Sequence, residues 1–284
     1  MTIAWALRTA HESLTKKKIP LAHLDAELLL AYILKKDRPY VIAHNKDTLS
    51  LAQFNQFKAL VKKRAARMPL AYIIGTKEFY GLPFGVSRDT LIPRPDTEAL
   101  IQQVLEYLSR HPKVRNLVDV GTGSGCIPLS LAAHASPKLN IEAFDISSSA
   151  LTLSKKNAKA LSLNKRVRFA KRDLLKGVTT KYDVIVANLP YLSKKEYAFA
   201  IKHFPEIKYE PKSALLSGTD GLDLIRIFMA QAPKNLNKKG AIFLEIGYEQ
   251  GAAVTDIAIQ QLPKANIWII KDDCGRDRIA YIQT

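Results

Sequence analysis

Cysteine is scarce in this sequence: Cys126 and Cys274 are the only two among 284 residues. They lie far apart, with no His or Cys at ligand spacing. That excludes a disulfide framework and argues against a zinc site, so no metal is expected and a reducing compartment fits. Also missing is any apolar run near the roughly 20 residues that span a bilayer. The opening MTIAWALRTAHESLTKKK has no basic stretch ahead of a long apolar one, so no signal peptide is expected. The expected setting is the cytoplasm, with no membrane partner. Acidic residues are outnumbered, 26 Asp and Glu against 43 Lys and Arg, a formal net charge of +17. Such an excess serves equally as a solvated surface or as a footprint for RNA, the ribosome or an acidic protein. The basic residues come in scattered pairs and triplets, such as Lys16 to Lys18 and Lys62 to Arg64, which leaves both readings open.

The remaining composition, 47% hydrophobic and 24% charged, is that of a folded protein with a sizeable core. Residues 1–73 read as a small helical domain. In PLAHLDAELLLAYILKK, apolar residues at 21, 24, 28 and 32 predict one buried helix face, with Pro20 in the first turn. SLAQFNQFKALVKKRAARMP predicts a second helix, capped by Ser50, burying Leu51, Phe54, Phe57 and Val61 and closed by Pro69. Glycines at 75, 81 and 85 punctuate short β-favouring runs, so residues 74–94 are expected to form a β-hairpin linker. A helix starting near Pro95 should carry Asp96 and Glu98 in its positive first turn. From Val114 onward, short apolar strands alternate with helix-like stretches at 126–135, 148–162, 220–232 and 249–261. Alternation of this kind predicts a mostly parallel sheet with helices on both faces across 95–284. The final two β-rich runs have no helix between them, so the last strand should be antiparallel.

LVDVGTGSGCIPLSLA is the most informative stretch: a strand, then Gly121, Thr122, Gly123, Ser124 and Gly125, then a helix. Glycines let the chain turn tightly and a ligand rest on bare backbone. The spacing is neither that of the dinucleotide-binding turn nor that of a phosphate-binding P-loop. Asp145 closes the next strand, where a carboxylate can accept from both ribose hydroxyls, and Asp173 closes the one after, where an adenine would lie. Each of these features taken alone is equally well a plain connecting turn or a helix cap. Taken in order, and followed by Asn188-Leu189-Pro190-Tyr191 at the lip of the strand VIVA, the set resembles the class I S-adenosylmethionine-dependent methyltransferases. That resemblance implies a Rossmann-like, seven-stranded sheet.

An amide or aromatic amine is a weak nucleophile, because its lone pair is delocalised. Carbonyl acceptors for its N–H groups can hold it in line and stabilise the positive charge that develops on nitrogen. Asn188 and a backbone carbonyl in a stiff turn fit that need, with Tyr191 stacked on the planar acceptor group. Enzymes that methylate such nitrogens usually carry Asn-Pro-Pro-Tyr; the Asn-Leu-Pro-Tyr found here also resembles the ribosomal RNA adenine dimethyltransferases. The wider chain resembles another family. KEFYGLPFGVS (77–87), LIPRPDTEAL (91–100), IKYEPKSALLSGTDGLDLIR (207–226), FLEIGYEQG (243–251) and DDCGRDRIA (272–280) stand in the order found in the peptide-chain release factor N5-glutamine methyltransferases of the HemK/PrmC type. A helical domain ahead of the core matches them too.

The resemblance implies that S-adenosyl-L-methionine is the methyl donor, that S-adenosyl-L-homocysteine is the product, and that a glutamine of a release factor is the acceptor. It also implies roles. Gly121 to Gly125 cradle the methionine part, Asp145 binds the ribose, and Asp173 and Leu174 bind the adenine. Asn188 and the Leu189 carbonyl hold the substrate amide, with Asn188 also counted among the donor-binding residues, Pro190 and Tyr191 shape the slot, and Phe79 closes it. The segment from Pro93 to Glu98 is expected to support the pocket. For Phe79 a place in the core stands as the alternative, and for Arg94 with Glu98 a structural ion pair. A proline in place of Leu189 is expected to be tolerated. A monomer is expected. Two other functions remain as alternatives: adenine-N6 methylation of ribosomal RNA or DNA, and a non-catalytic S-adenosylmethionine-binding translation accessory protein.

Overall fold

The computed structural model describes residues 1–284, which fall into two compact units. The first comprises Met1–Thr76 together with Pro205–Tyr209. Its helices are α1 (Ile3–Lys16), α2 (Ala22–Leu34), α3 (Arg38–Ala43), α4 (Leu51–Ala65) and α5 (Leu70–Ile74). Their core is built on Leu14, Leu29, Leu30, Val41 and Phe57. Ser50 caps α4 as expected, in a reciprocal capping box with Gln53. Leu51, by contrast, is exposed, while Phe57 and Val61 are buried.

The α2 expectation is overturned. Leu21 and Tyr32 are exposed, and the buried face runs through Ala22, Ala26, Leu29 and Leu30. Pro20 lies ahead of the helix rather than in its first turn, since Leu21 is the N-cap. The physical reason is that α2 is apolar nearly all round, so its periodicity carries little directional signal. Its acidic residues sit on the inside: Asp25 and Glu27 are both buried. Arg64 on α4 pairs with Asp25 at 2.6 Å, and Arg38 with Glu27 at 2.6 Å. Arg64 and Arg67 also hold Glu206 at 3.2 and 3.3 Å, and the Tyr209 hydroxyl donates to the Ala66 carbonyl at 2.8 Å. A piece of chain from far along the sequence is thereby built into the helical unit.

The second unit, Lys77–Phe204 with Glu210–Thr284, holds the sheet. A hairpin of β1 (Thr76–Phe79) and β2 (Leu82–Gly85) turns at Tyr80 and Gly81, both with positive φ, the conformation a two-residue hairpin turn requires. After α6 (Asp96–Arg110) come β3 (Asn116–Val120), α7 (Cys126–His134), β4 (Asn140–Asp145), α8 (Ser148–Ala160), β5 (Val167–Lys171) and β6 (Tyr182–Ala187). The chain continues through α9 (Lys194–His203), two short 3-10 turns, α10 (Asp223–Asn235), β7 (Leu236–Glu245), α11 (Gly251–Gln261), β8 (Asn266–Lys271) and β9 (Asp277–Gln283). The seven-stranded sheet has the order β5-β4-β3-β6-β7-β9-β8. Pairings from β5 to β7 are parallel, and β9 runs antiparallel to both β7 and β8.

Alternate residues of the central strands feed two cores. Leu117, Val184, Val186 and Phe243 face α6 and α7; Val118, Ile185, Ala187 and Leu244 face α10 and α11. Strand order reverses at β3, whose neighbours β4 and β6 lie on opposite sides. The crevice beyond the carboxyl ends of β3 and β6 is where such sheets bind ligands. No helix is long and apolar enough to cross a membrane.

Candidate active site

Two loops meet at that crevice. After β3 the chain turns through Gly121, and the Gly121 and Thr122 N–H groups both donate to the Phe144 carbonyl at 2.9 Å. The loop is pinned again where Gly123 N–H donates to Asp145 Oδ2 at 2.8 Å, while Ser147 N–H donates to Oδ1 at 2.8 Å. Asp145 therefore ties the glycine loop to the start of α8 and keeps free lone pairs on both oxygens. Asn157 on α8 makes a second tie. Its side chain donates to the carbonyls of Ser124 and Gly85 and accepts from Gly85 N–H at 2.8 Å. Gly125 is needed for packing: its φ is +81°, and a Cβ there would stand 3.0 Å from the Ser154 Cβ.

After β6, Asn188 donates its side-chain N–H to Thr97 Oγ1 at 3.1 Å, and no bond is made by its Oδ1. Leu189 is buried against Gly121. The Tyr191 carbonyl accepts from Gln250 at 2.9 Å, and its hydroxyl donates to Glu245 Oε1 at 3.3 Å. The loop ahead of α6 is set by Glu210, which accepts from Ile92 N–H at 3.1 Å and pairs with Arg94. The Arg94–Glu98 pair considered from sequence does not form; Glu98 accepts from Tyr80 N–H at 2.9 Å instead.

Together these elements line a cleft of about 200 Å³ that opens to solvent. Its walls include Gly121 to Ser124, Asp145, Asp173, Leu174 and Asn188 to Pro190, as well as Thr97, Ile146 and Arg94. Three residues expected at the site are absent from its walls. Phe79 is fully buried beside Phe84, Leu100 and Ile101, because it is the inward-facing residue of β1. Tyr191 points into the core below the cleft and shapes it from behind, bonded to Glu245. Gly125 faces α8. Asp173 lies two residues past the end of β5, on an exposed turn.

Two buried carboxyls near the cleft have unusual electrostatics. Asp119, at the heart of β3, has neither oxygen hydrogen-bonded. Burial pushes it up to about 7, with the Thr122 hydroxyl drawing it down and the Asp145 charge adding to the rise. Burial likewise pushes Glu245 up to about 7, against the Thr97 hydroxyl, the Arg278 charge and the Tyr191 hydroxyl. Asn157 and Glu245 carried no assignment from sequence, and Thr97 only a place in the supporting segment from Pro93 to Glu98. The only signal was a lone acid inside the apolar run AIFLEIG and a threonine at the head of an amphipathic helix.

A mostly parallel sheet with this strand order, a three-glycine turn after its central strand and an Asn-Leu-Pro-Tyr turn on the neighbouring strand define a class I methyltransferase core. Family models match the chain as the PrmC N-terminal domain over residues 6–75 and the methyltransferase small domain over residues 96–206. The chain is 40% identical over 259 residues to a release factor glutamine methyltransferase of Xylella fastidiosa, covering 90% of this chain and 91% of that one. It is 38% identical over 285 residues to the one from Moorella thermoacetica, covering 99% of each. A solved methyltransferase from Pyrococcus furiosus shares the fold with a TM-score of 0.52 at 19% identity, over 78% of this chain and 98% of that one. The chain belongs to the release factor glutamine methyltransferase family.

Proposed function

We propose that this protein transfers a methyl group from S-adenosyl-L-methionine to the side-chain amide N5 of the glutamine in the Gly-Gly-Gln motif of a peptide-chain release factor, leaving S-adenosyl-L-homocysteine. The observation that carries the reading is Asn188. Its amide nitrogen is engaged by Thr97, and its free Oδ1 belongs to a residue lining the same cleft as the glycine loop.

The cleft suits the donor on its own chemistry. The Asp119 carboxyl is buried with neither oxygen hydrogen-bonded, and a cationic ammonium group of the donor nearby would favour its ionised form. A Cβ at Gly123 would meet nothing within 4 Å, so the space beside that backbone is open to a ligand. Asp145 has lone pairs left for two ribose hydroxyls. Ile146, 63% exposed despite its apolar side chain, and Leu174 offer apolar faces to a base, with Asp173 near for its exocyclic amine. Bound there, the donor supplies an electrophilic sulfonium methyl. Asn188 Oδ1 and the Leu189 carbonyl accept from the substrate amide N–H groups, orient the nitrogen and stabilise the charge it gains. Pro190 stiffens the turn, and Tyr191 anchors it to β7.

The helical unit grips the release factor in this reading, the basic surface complements an acidic partner and the enzyme acts as a monomer. The +17 charge and the leucine of Asn-Leu-Pro-Tyr favour adenine methylation of RNA as the second reading. Incubation with methyl-labelled donor and either purified release factor or ribosomal RNA separates the two. Label on the release-factor glutamine is expected; label on RNA alone rejects the proposal.

A further inference from the structure

We propose that Glu210 is a positioning residue: it anchors residues 92–94 and, through Thr97, holds the Asn188 amide with its oxygen free for the substrate. The inference rests on the proposed amide-methylation reading and adds to it the group that fixes the acceptor wall of the cleft.

Residues 91–94 have no regular secondary structure, and Pro93 and Pro95 lack an N–H. Such a stretch cannot pair as a strand and relies on other groups to hold it. The helix it leads into, α6, has Pro95 as its N-cap and no side-chain cap. Glu210 supplies the anchor. Its buried side chain accepts from Ile92 N–H at 3.1 Å through Oε2 and pairs through Oε1 with the Arg94 guanidinium. Bonds of this kind to a buried carboxylate are strong, because little water competes for them. The Arg94 carbonyl in turn accepts from Thr97 N–H at 3.1 Å, closing the first turn of α6. Thr97 is buried, and its hydroxyl oxygen accepts from Asn188 Nδ2 at 3.1 Å. A series of hydrogen bonds through Arg94 and Thr97 thus leads from Glu210 to Asn188.

The chain beyond Asn188 returns to the same carboxylate. Leu192, which follows the tetrapeptide, gives its N–H to the Leu215 carbonyl and takes the Ser217 N–H, each at 2.9 Å. Between Glu210 and those partners lie Ser213 and Ala214, which line the cleft as Pro190 does. The walls around Asn188 therefore form a closed ring, from the β6 turn through residues 210–217 to residues 92–97 and back, with Glu210 as the closing link. An asparagine has donor and acceptor ends of nearly the same shape, so its partners orient it more than its packing does. Thr97 holds the donor end only while the first turn of α6 stays in place against the β6 turn. Release of the Glu210 clamp lets residues 92–97 shift, and a misplacement of about 1 Å in an orienting group costs up to about a hundredfold in rate. The glycine loop and Asp145 are pinned outside this ring, by the Phe144 carbonyl and Asn157, so the donor's own cradle does not depend on it.

The test compares wild type with Glu210→Ala, the near-isosteric Glu210→Gln, Thr97→Val and the double variant Glu210→Gln with Thr97→Val. Each is assayed for kcat on a release factor, with donor affinity and melting temperature measured in parallel. Glu210→Ala and Glu210→Gln should each lower kcat by about tenfold or more and leave donor affinity within about threefold. Thr97→Val should do the same. Adding Glu210→Gln to it should lower kcat by less than about twofold further, because the link the carboxylate acts through is already gone. Wild-type kcat in Glu210→Gln overturns the proposal. So does a double variant whose loss is the product of the single losses, and so does a loss of activity only in step with melting temperature. A wild type that methylates no release factor defeats the functional reading instead. The positioning claim is then decided by the Asn188 side-chain amide NMR signals, assigned by their loss in Asn188→Asp. They should shift in Glu210→Gln as they do in Thr97→Val; signals left at their wild-type positions in Glu210→Gln overturn the claim.

Discussion

The Leu189 side chain rests on Gly121: a Cβ at position 121 would stand 3.0 Å from Leu189 Cδ2, on a backbone whose φ is already +80°. Two loops from adjacent strands, β3 and β6, therefore interlock through a missing side chain on one and a buried apolar one on the other. The second letter of Asn-Leu-Pro-Tyr is a packing residue, and its carbonyl, not its side chain, is what the proposed chemistry uses.

Gly121→Ala should weaken donor binding and lower stability by about 1–3 kcal/mol, since it combines a strained φ with an unavoidable contact. Adding Leu189→Ala should recover only the contact part, so the double-mutant cycle should show coupling on the order of 1 kcal/mol. Donor titration calorimetry with thermal melts checks both; strict additivity contradicts the interlock.

Leu189→Pro looks tolerable from sequence, because the acceptor group is backbone. In the structure the leucine is 2% exposed, in a core that includes Val118, Val120 and Leu222. Proline removes part of that contact, and a loss of about 1 kcal/mol is expected. Transfer should be slowed rather than abolished, which melting curves and kcat together will show.

Asp119 makes stability depend on pH in a defined direction. Its carboxyl stands at about 7 in the folded chain against 3.8 for the unperturbed group, so the folded state holds the proton more tightly. Stability is full below the unfolded value and falls as pH rises from about 4 to about 7, by a few kcal/mol at most. Glu245, raised from 4.5 to about 7, acts in the same sense. Asp119→Asn should raise the melting temperature of the free protein at pH 8 and weaken donor binding by about tenfold, roughly the value of one charge-assisted contact. Calorimetry at pH 5.5 and 8 checks the sign; a lower melting temperature for the variant at pH 8 contradicts it.

Arg64→Ala leaves Asp25 buried without its partner and frees Glu206 from one of its two arginines. A loss of about 3 kcal/mol is expected, the cost of stranding a buried charge. Asp25→Asn in the same background should recover part of it, measured by denaturant titration.

These outcomes bear on how far the sequence could be read. The seven-stranded sheet with its antiparallel partner strand was legible, because apolar strand runs and glycine-marked ends alternate so regularly. Asp145 and Asn188 were legible as lining residues because each ends a strand at the sheet's binding edge. The buried face of α2 was not, since a helix apolar all round gives its acids, Asp25 and Glu27, no visible reason to turn inward until Arg64 and Arg38 are placed. Pro205–Tyr209 was equally hidden: its place in the helical unit depends on Arg64 and Arg67, about 140 residues away in the chain. Phe79 was misread because an aromatic two residues from a turn has the same local pattern whether it faces a cleft or a core. The Thr97 bond to Asn188 and the Glu245 bond to Tyr191 escaped because their partners come from different strands and helices.

The central claim is that Asn188 acts on the substrate amide and not on the donor. Its most direct test is Asn188→Ala, with donor affinity measured by calorimetry and single-turnover methylation of the release factor followed in parallel. The account predicts a loss of transfer of at least about a hundredfold, the usual cost of removing a charge-stabilising group, with donor affinity within about threefold of wild type. Full-rate transfer by the alanine variant, or donor binding lost along with activity, would contradict it.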